Sequence, residues 1–286
     1  MDKIIIEAPA KINLTLDVKG KRGDGYHELE TIMHHVSLVD KITLTKDDNI
    51  RIESNSNLIP LDESNLAYQA ALLYFKETKK EAGVKIFIEK NIPISAGLAG
   101  GSSNAAAVLI GLNKLYQGNL SPNKLWKLAC KLGSDVPFCL TNTTAMARGR
   151  GEILTPLPTI DKLHFLLVKP DFPISTREVF EKFSLEKVIK FPNNEDFLIA
   201  WREYNIIKLA NEMVNVLESV SLSLYPELKE IKAKLINWGA LNAIMSGSGP
   251  TIFGLFTDLK KWDQAYYLCQ GIYGEVFKVS SYVRSE

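Results

Sequence analysis

The apolar and polar positions of this chain change their period repeatedly, and each change marks an element. Over KINLTLDV (11–18) they alternate, which puts Lys11, Asn13, Thr15 and Asp17 on one face of a strand and Ile12, Leu14, Leu16 and Val18 on the other. KIIIE (3–7) before it, and TIMHHVSLV (31–39), KITLT (41–45) and IRIE (50–53) after it, continue the β pattern around a glycine-rich loop, GKRGDGYH (20–27). After the polar turn SNSN (54–57) the period becomes helical. Ser64 or Asn65 caps a helix whose stripe is Leu66, Ala70, Leu73 and Phe75. VKIFIEK (84–90) is a strand again, followed by a glycine turn and a helix from about Ser103 to Tyr116. LSPNKLWKLACKLG (120–133) predicts a helix with Ser121 as cap, Pro122 in the first turn and Gly133 as stop. SDVPFCL (134–140) reads as a loop running into a strand, and TTAMARGRGE (143–152) as a strand with a glycine exit.

At TPLPTIDK (155–162) the pattern breaks on two prolines, and a domain boundary is expected there, giving domains 1–158 and 159–286. Beyond it come a strand (HFLLVKP, 164–170), a helix (STREVFEKF, 175–183), mostly helix over 195–219, and a helix from Pro226 to the stop at Gly239. NAIMSGSGPTIFGLF (242–256) is two strands around a glycine turn, and a last helix (259–271) precedes the strand EVFKVS (275–280). Strands and helices mix without strict βα alternation, so the class expected is α+β.

Composition adds limits. At 286 residues, with 46% hydrophobic and 23% charged residues, the chain has the make-up of a globular protein that can bury its core without disulfides. Its three cysteines, Cys130, Cys139 and Cys269, form no CxxC pair, and they read as incidental buried thiols of a reducing, cytoplasmic setting. A net charge of +1 gives no case for a nucleic-acid or anionic-membrane partner, and no run of about 18 apolar residues predicts a membrane span. No His/Cys cluster has the spacing of a zinc site. His34 and His35, adjacent on a strand, face opposite ways and are no metal pair. Nothing in the pattern chooses between monomer and homodimer.

The stretch PISAGLAGGSSNAAAVLIGL (93–112) sets glycines directly against a strong helix signal. A helix N-terminus leaves backbone N–H groups without intrahelical partners and carries partial positive charge, so it suits anions. Gly97, Gly100 and Gly101 would let a phosphate approach the backbone, and Ser102 and Ser103 can cap the helix, bind phosphate oxygens or reach a magnesium ion. The plainer reading is a well-capped strand–turn–helix junction with no ligand. The stretch has neither the lysine of GxxxxGK[ST] nor the spacing of GxGxxG, so any lysine used here must come from elsewhere.

PISAGLAGGSSNAAA resembles the phosphate loop of the GHMP kinases, named for galactokinase, homoserine kinase, mevalonate kinase and phosphomevalonate kinase. APAKINLTL (8–16) is similar to that family's first motif and IMSGSGPTIFGLF (244–256) to its third; order and spacing agree over essentially the whole chain. Ala99 stands where glycine also occurs and Asn104 where aspartate is common; neither change removes a backbone donor. The resemblance implies a two-domain fold, with an N-terminal domain like ribosomal protein S5 domain 2 and a ferredoxin-like C-terminal domain. It also implies an ATP-dependent kinase using Mg2+, whose ATP loop is Pro93, Ile94, Ser95, Ala96, Gly97, Leu98, Ala99, Gly100, Gly101, Ser102 and Ser103. The protein ligand of the Mg2+ is open, with Ser102 as a candidate.

Lys11 in AKINL and Asp135 in GSDVPF match the family's catalytic pair: the carboxylate accepts the alcohol's proton, and the ammonium keeps it ionised and stabilises developing charge. By local sequence alone, Asp135 is an ordinary turn aspartate and Lys11 a surface lysine. RGDGYHELETIM (22–33) is similar to the branch of the family that phosphorylates an alcohol carried on cytidine diphosphate in non-mevalonate isoprenoid synthesis. That likeness assigns the cytosine to Tyr26, His27 and Phe180, with Asn13 and Thr176 also at the substrate. The plain alternatives are a solvated loop histidine and a core phenylalanine. Two other readings stay open: a family member with a different alcohol (homoserine or mevalonate), and a non-catalytic RNA-binding protein.

Overall fold

The computed structural model describes residues 2–160 and 162–283. The chain is α+β, as expected, and its contacts cluster into two compact units. The first is drawn from Met1–Lys11, Leu38–Ile94 and Ala99–Asn142, the second from Ile12–Ser37, Ser95–Leu98 and Thr143–Glu286. Asp161, in the proline-rich stretch read as a boundary, lies outside the described residues.

Where the pattern predicts four strands near the start there are two long ones, β1 (Lys3–Lys21) and β2 (His27–Asp47), each contributing to both units. Asp40, which interrupts the apolar pattern, does not interrupt β2, because it is fully buried and hydrogen-bonded. Alternation in β1 predicts one face in water. Instead Lys11, Asn13, Thr15 and Asp17 are all buried, none above 4% exposed. In the second unit Asn13 and Thr15 are satisfied from the side: Asn13 donates to Thr31 Oγ1 at 2.8 Å and Thr15 to Asn194 Oδ1 at 2.7 Å, while Asp17 pairs through one oxygen with Lys19 at 2.6 Å.

In the first unit β3 (Ile50–Ser54) pairs parallel with β4 (Gly83–Glu89), which pairs antiparallel with residues 41–47 of β2. Four helices belong with them: α1 (Leu66–Thr78), α2 (Gly100–Leu115), α3 (Pro122–Leu132) and α4 (Val136–Cys139). Asn65 caps α1, and the buried stripe is Ala67, Ala70, Ala71, Tyr74 and Phe75. Ser121 caps α3 as predicted. Helix α2 lies hard against the sheet: a Cβ on Gly111 would fall 2.5 Å from Leu44 Cδ1 and 3.1 Å from Ile6 Cγ1. Two expectations fail here. SDVPFCL forms the short helix α4 rather than a loop and strand, since its apolar residues Val136, Phe138 and Cys139 are all buried and proline is tolerated in a first turn. Helix α2 begins three residues before Ser103, because glycine at 100 and 101 does not stop a helix whose following turns are buried alanines.

In the second unit β5 (Ala145–Gly149) pairs antiparallel with residues 29–33 of β2 and with β6 (Ile153–Pro156), a strand the proline-rich pattern hid. A separate antiparallel sheet is built from β7 (His164–Lys169), β8 (Asn242–Met245), β9 (Ile252–Phe256) and β10 (Glu275–Ser280), in the order β10-β7-β9-β8. That order is the ferredoxin-like one. Six helices accompany it: α5 (Thr176–Lys182), α6 (Asn194–Arg202), α7 (Ile206–Glu212), α8 (Glu218–Leu224), α9 (Glu227–Asn237) and α10 (Leu259–Gln270). Helices α9 and α10 cover the sheet over a core that includes Leu166, Val168, Leu228, Leu235, Ile252 and Ala265. Cys139 and Cys269 are buried thiols as expected, whereas Cys130 is only half-buried.

His34 sets a pH dependence of stability. It is 2% exposed, bonded through Nδ1 to the Thr144 hydroxyl at 2.7 Å and through Nε2 to Ser281 at 3.0 Å. Burial, helped by the neighbouring His35, pushes its pKa down to about 3. An unfolded chain takes up this proton near pH 6.5, so stability present above 6.5 is lost as pH falls from there toward 3. The loss expected at pH 5 is about 2 kcal/mol, from 1.36 kcal/mol per pH unit. Urea midpoints at pH 7 and pH 5 check it, and His34→Gln removes this part of the slope.

Candidate functional site

The residues singled out from the sequence are drawn from both compact units; the 93–103 loop itself contributes Pro93, Ile94 and Ala99–Ser103 to the first and Ser95–Leu98 to the second.

In the first unit the pair is formed. Lys11 Nζ lies 3.7 Å from Asp135 Oδ2, with the lysine side chain 5% exposed and the aspartate 33%. Lys11 is therefore not a surface lysine. Asp135 is the residue before α4, and its carboxylate makes no capping bond to that helix. It is half-exposed, held beside a buried ammonium, and not consumed by local structure.

The loop into α2 is shaped for close approach to the backbone. Ser95, Gly97 and Ala99 have φ of 53°, 74° and 55°, the left-handed region. Alternating left-handed residues turn successive N–H groups toward one side. Ala99, as the N-cap residue, makes no side-chain cap bond, so the first turn of α2 lacks a side-chain acceptor. This overturns the expectation that Ser102 or Ser103 caps the helix: both lie inside its first turn, where a hydroxyl is past the N-cap position. The Ser103 hydroxyl is buried and has no hydrogen-bond partner among the described residues. At Gly101 an added Cβ would meet only Leu66 Cδ1 at 3.9 Å, whereas at Gly100 it would lie 3.0 Å from Lys90 Nζ.

That lysine is one the sequence reading missed. Lys90 is bonded to Asp40 Oδ2 at 2.8 Å and to the Ile92 carbonyl, and its side chain is 7% exposed. Asp40 also accepts from the N–H of Asn91 and Ile92, at 2.7 and 2.8 Å, and from the Asn104 amide at 2.7 Å. One carboxylate thus ties the entry of the loop to the second turn of α2. Burial pulls the Lys90 ammonium below the ordinary lysine range, while Asp40 works the other way. The only sequence signal was a lone aspartate within a strand.

In the second unit His27 lies against Phe180, ring centroids 5.1 Å apart, and edge-on to Phe183 at 6.5 Å. Phe180 is half-buried against the core, so it has both the core and the ring-partner character weighed from the sequence. Burial, then the charge of Lys21, lowers the His27 pKa. Tyr26 is 54% exposed. Thr176, first residue of α5, shares a hydrogen bond with Ser248 at 2.8 Å. Ser248 belongs to the glycine turn 246–251, whose Ser246 hydroxyl donates to the Gly97 carbonyl at 2.9 Å. A Cβ at Gly97 would fall 2.2 Å from the Ser246 carbonyl oxygen, so the two turns meet backbone to backbone. Asn215, also missed, holds this turn by donating to the carbonyls of Met245 and Gly247 at 2.7 and 2.8 Å.

Among the described residues no group of three His, Cys, Asp or Glu side chains is placed to hold a metal ion, and no helix is long and apolar enough to cross a membrane.

Comparison with known proteins agrees with these motifs. The family model of the GHMP kinases N terminal domain matches residues 65–143 and that of the GHMP kinases C terminal matches 203–267. A protein of Syntrophomonas wolfei subsp. wolfei named 4-diphosphocytidyl-2-C-methyl-D-erythritol kinase is 54% identical over 98% of this chain and 99% of its own. Its namesake from Alkaliphilus metalliredigens is 44% identical over 99% and 98%. Among solved structures, a 4-(cytidine 5'-diphospho)-2C-methyl-D-erythritol kinase superposes with a TM-score of 0.84 at 34% identity, covering 97% of this chain and 98% of that one. A homoserine kinase from Cytophaga hutchinsonii shares the fold, with a TM-score of 0.79 at 19% identity over 99% and 95%. Relatedness of this degree, sustained along the entire length, means that the chain belongs to the GHMP kinases and is an ATP-dependent kinase of a small molecule.

Proposed function

We propose that this kinase phosphorylates the 2-hydroxyl of 4-diphosphocytidyl-2-C-methyl-D-erythritol, giving the 2-phosphate and ADP, in the non-mevalonate route to isoprenoids. The observation that carries the chemistry is the buried Lys11 ammonium 3.7 Å from the uncommitted Asp135 carboxylate. The names of the relatives matched over nearly their whole length support the substrate.

In the transfer, an O–P bond forms from the hydroxyl oxygen to the γ-phosphorus, the bond to the β–γ bridging oxygen breaks, and the hydroxyl proton goes to Asp135. Lys11 holds that carboxylate in place and offsets negative charge that grows on the transferring group. When bound, ATP supplies the phosphoryl group and Mg2+ neutralises part of its charge. The uncapped first turn of α2, the left-handed residues before it and the unpartnered Ser103 hydroxyl fit a triphosphate, and Pro93 to Ser103 would hold it. Ser102 is the residue we propose for the metal. Tyr26 and Phe180 offer faces to the cytosine, and neutral His27, with one donor and one acceptor nitrogen, matches its edge. Asn13 and Thr176 complete the acceptor's set.

The phosphate cradle makes a prediction of its own. Gly101→Ala has room for its Cβ and favours the helix, so the melting temperature is unchanged or higher. The same methyl stands where a phosphate would approach, so ATP binding weakens by roughly tenfold, which corresponds to about 1.4 kcal/mol. Calorimetric titration with a non-hydrolysable ATP analogue, beside a thermal melt, checks both halves. The function itself is tested by kcat/KM for ADP formation with the cytidine compound, homoserine and mevalonate in parallel. Preference for either of the latter two rejects the substrate named here.

A further inference from the structure

Arg150 lies in the turn between β5 and β6. Its guanidinium carbon sits 4.8 Å from the centre of the Tyr26 ring. That distance is within the range in which a cation is drawn to an aromatic face. Neither side chain is placed there by accident of a loose loop. Gly149 and Gly151, on either side of Arg150, have φ of 75° and 118°, and Gly151 closes the turn by donating to the Arg148 carbonyl at 3.1 Å. The Gly149 N–H donates to Glu28 Oε1 at 3.1 Å and the Arg150 N–H to Glu152 Oε2 at 2.6 Å. On the other side, Tyr26 ends the turn that begins at Arg22. Arg22 N–H donates to the Tyr26 carbonyl at 2.8 Å, and the Tyr26 N–H donates to Asp24 Oδ1 at 3.1 Å. Glu28 joins the two turns, since its other oxygen pairs with Arg22 Nη1 at 2.6 Å. Two short turns are therefore locked to each other, and the aromatic ring and the guanidinium are what they present. Lacking such a partner, a ring 54% exposed on a tight turn would sample several rotamers.

We infer that Arg150 is a positioning residue for acceptor recognition: it occupies one face of Tyr26, fixes the ring, and leaves the other face for the flat base of a cytidine nucleotide. The inference rests on the reading of Tyr26 under the proposed function. Order on one face lowers the entropy cost of stacking on the other, so the effect belongs to the affinity for the nucleotide acceptor. ATP affinity is untouched by it.

The test is a double-mutant cycle on the full chain. The probe is cytidine diphosphate, titrated by calorimetry, beside KM and kcat for the cytidine acceptor and for ATP. Arg150→Leu is expected to weaken cytidine diphosphate binding and raise the acceptor KM roughly fivefold, with kcat moving less and the ATP KM within about twofold. Arg150→Lys, which keeps the charge but loses the planar stack, falls between. With Tyr26→Leu already present, Arg150→Leu adds nothing further, because its route through the ring is gone. Unchanged cytidine diphosphate affinity in Arg150→Leu, an equal rise in both KM values, or full additivity in the double variant overturns the inference. A parent enzyme with no turnover of the cytidine acceptor overturns the reading of function and this inference with it. Normal parent turnover with a silent Arg150→Leu overturns this inference alone.

Discussion

Asp135→Ala lowers turnover by roughly 10²–10⁴ and leaves ATP bound nearly as tightly as by the parent. That range is the usual contribution of a positioned general base. The split between the two readouts follows from where the side chain is. The carboxylate caps no helix and is a third exposed, so removing it breaks no packing and leaves the fold intact. The groups proposed to hold the triphosphate are backbone N–H groups of another segment, 93–103, which the substitution does not touch. Lys11 keeps its buried setting and further interactions in the chain. Asp135→Asn is the sharper variant, since it preserves size and one acceptor oxygen but takes no proton. Single-turnover rates, with ATP affinity measured separately, decide the matter. Turnover near that of the parent in either variant removes Asp135 from the chemistry.

Lys90→Met destabilises the protein by about 3–5 kcal/mol, the cost of leaving a buried charge without its partner. For a chain of this size that is a drop in melting temperature on the order of 10 °C. Asp40 is fully buried and takes four donors, of which the ammonium is the only charged one. The two backbone donors and the Asn104 amide remain in Lys90→Met, but they do not balance a full negative charge. Adding Asp40→Asn restores part of the loss, because a neutral amide needs no counter-charge and its oxygen still accepts from Asn91 and Ile92. Thermal melts of the single and double variants check the ordering. A melt of Lys90→Met that matches the parent shows that the pair is dispensable.

Much of the fold was legible because its signals are local. The caps at Asn65 and Ser121, the stop after α9 and the hairpin around 246–251 each depend on a few neighbouring residues, and each stands where the pattern puts it. The misses depend on tertiary partners. A buried carboxylate such as Asp40 looks like a strand break until its donors, far along the chain, are seen. VPFC forms a turn of helix only because the surrounding unit buries it. The polar face of β1 gives no hint that it lies inside, since Asn194, Glu30 and Thr31 come from distant segments. Of the site, Lys11 and Asp135, 124 positions apart by their numbers, were found through a motif rather than through periodicity, and the structure brings them together. His27 and Phe180 likewise meet. Lys90, Asn215 and Arg150 belong to no motif and became visible only through their contacts.

The proposed reaction is one transfer: a phosphoryl group passing from ATP to a single hydroxyl of a cytidine-diphosphate-linked alcohol. Phosphorus-31 resonance of the enzyme with ATP, Mg2+ and 4-diphosphocytidyl-2-C-methyl-D-erythritol follows it atom by atom. The expected spectrum gains one phosphomonoester signal coupled to the erythritol carbon skeleton, together with ADP, while the acceptor's own diphosphate signals persist. ADP appearing with inorganic phosphate alone, or an acceptor spectrum that stays unchanged, contradicts it.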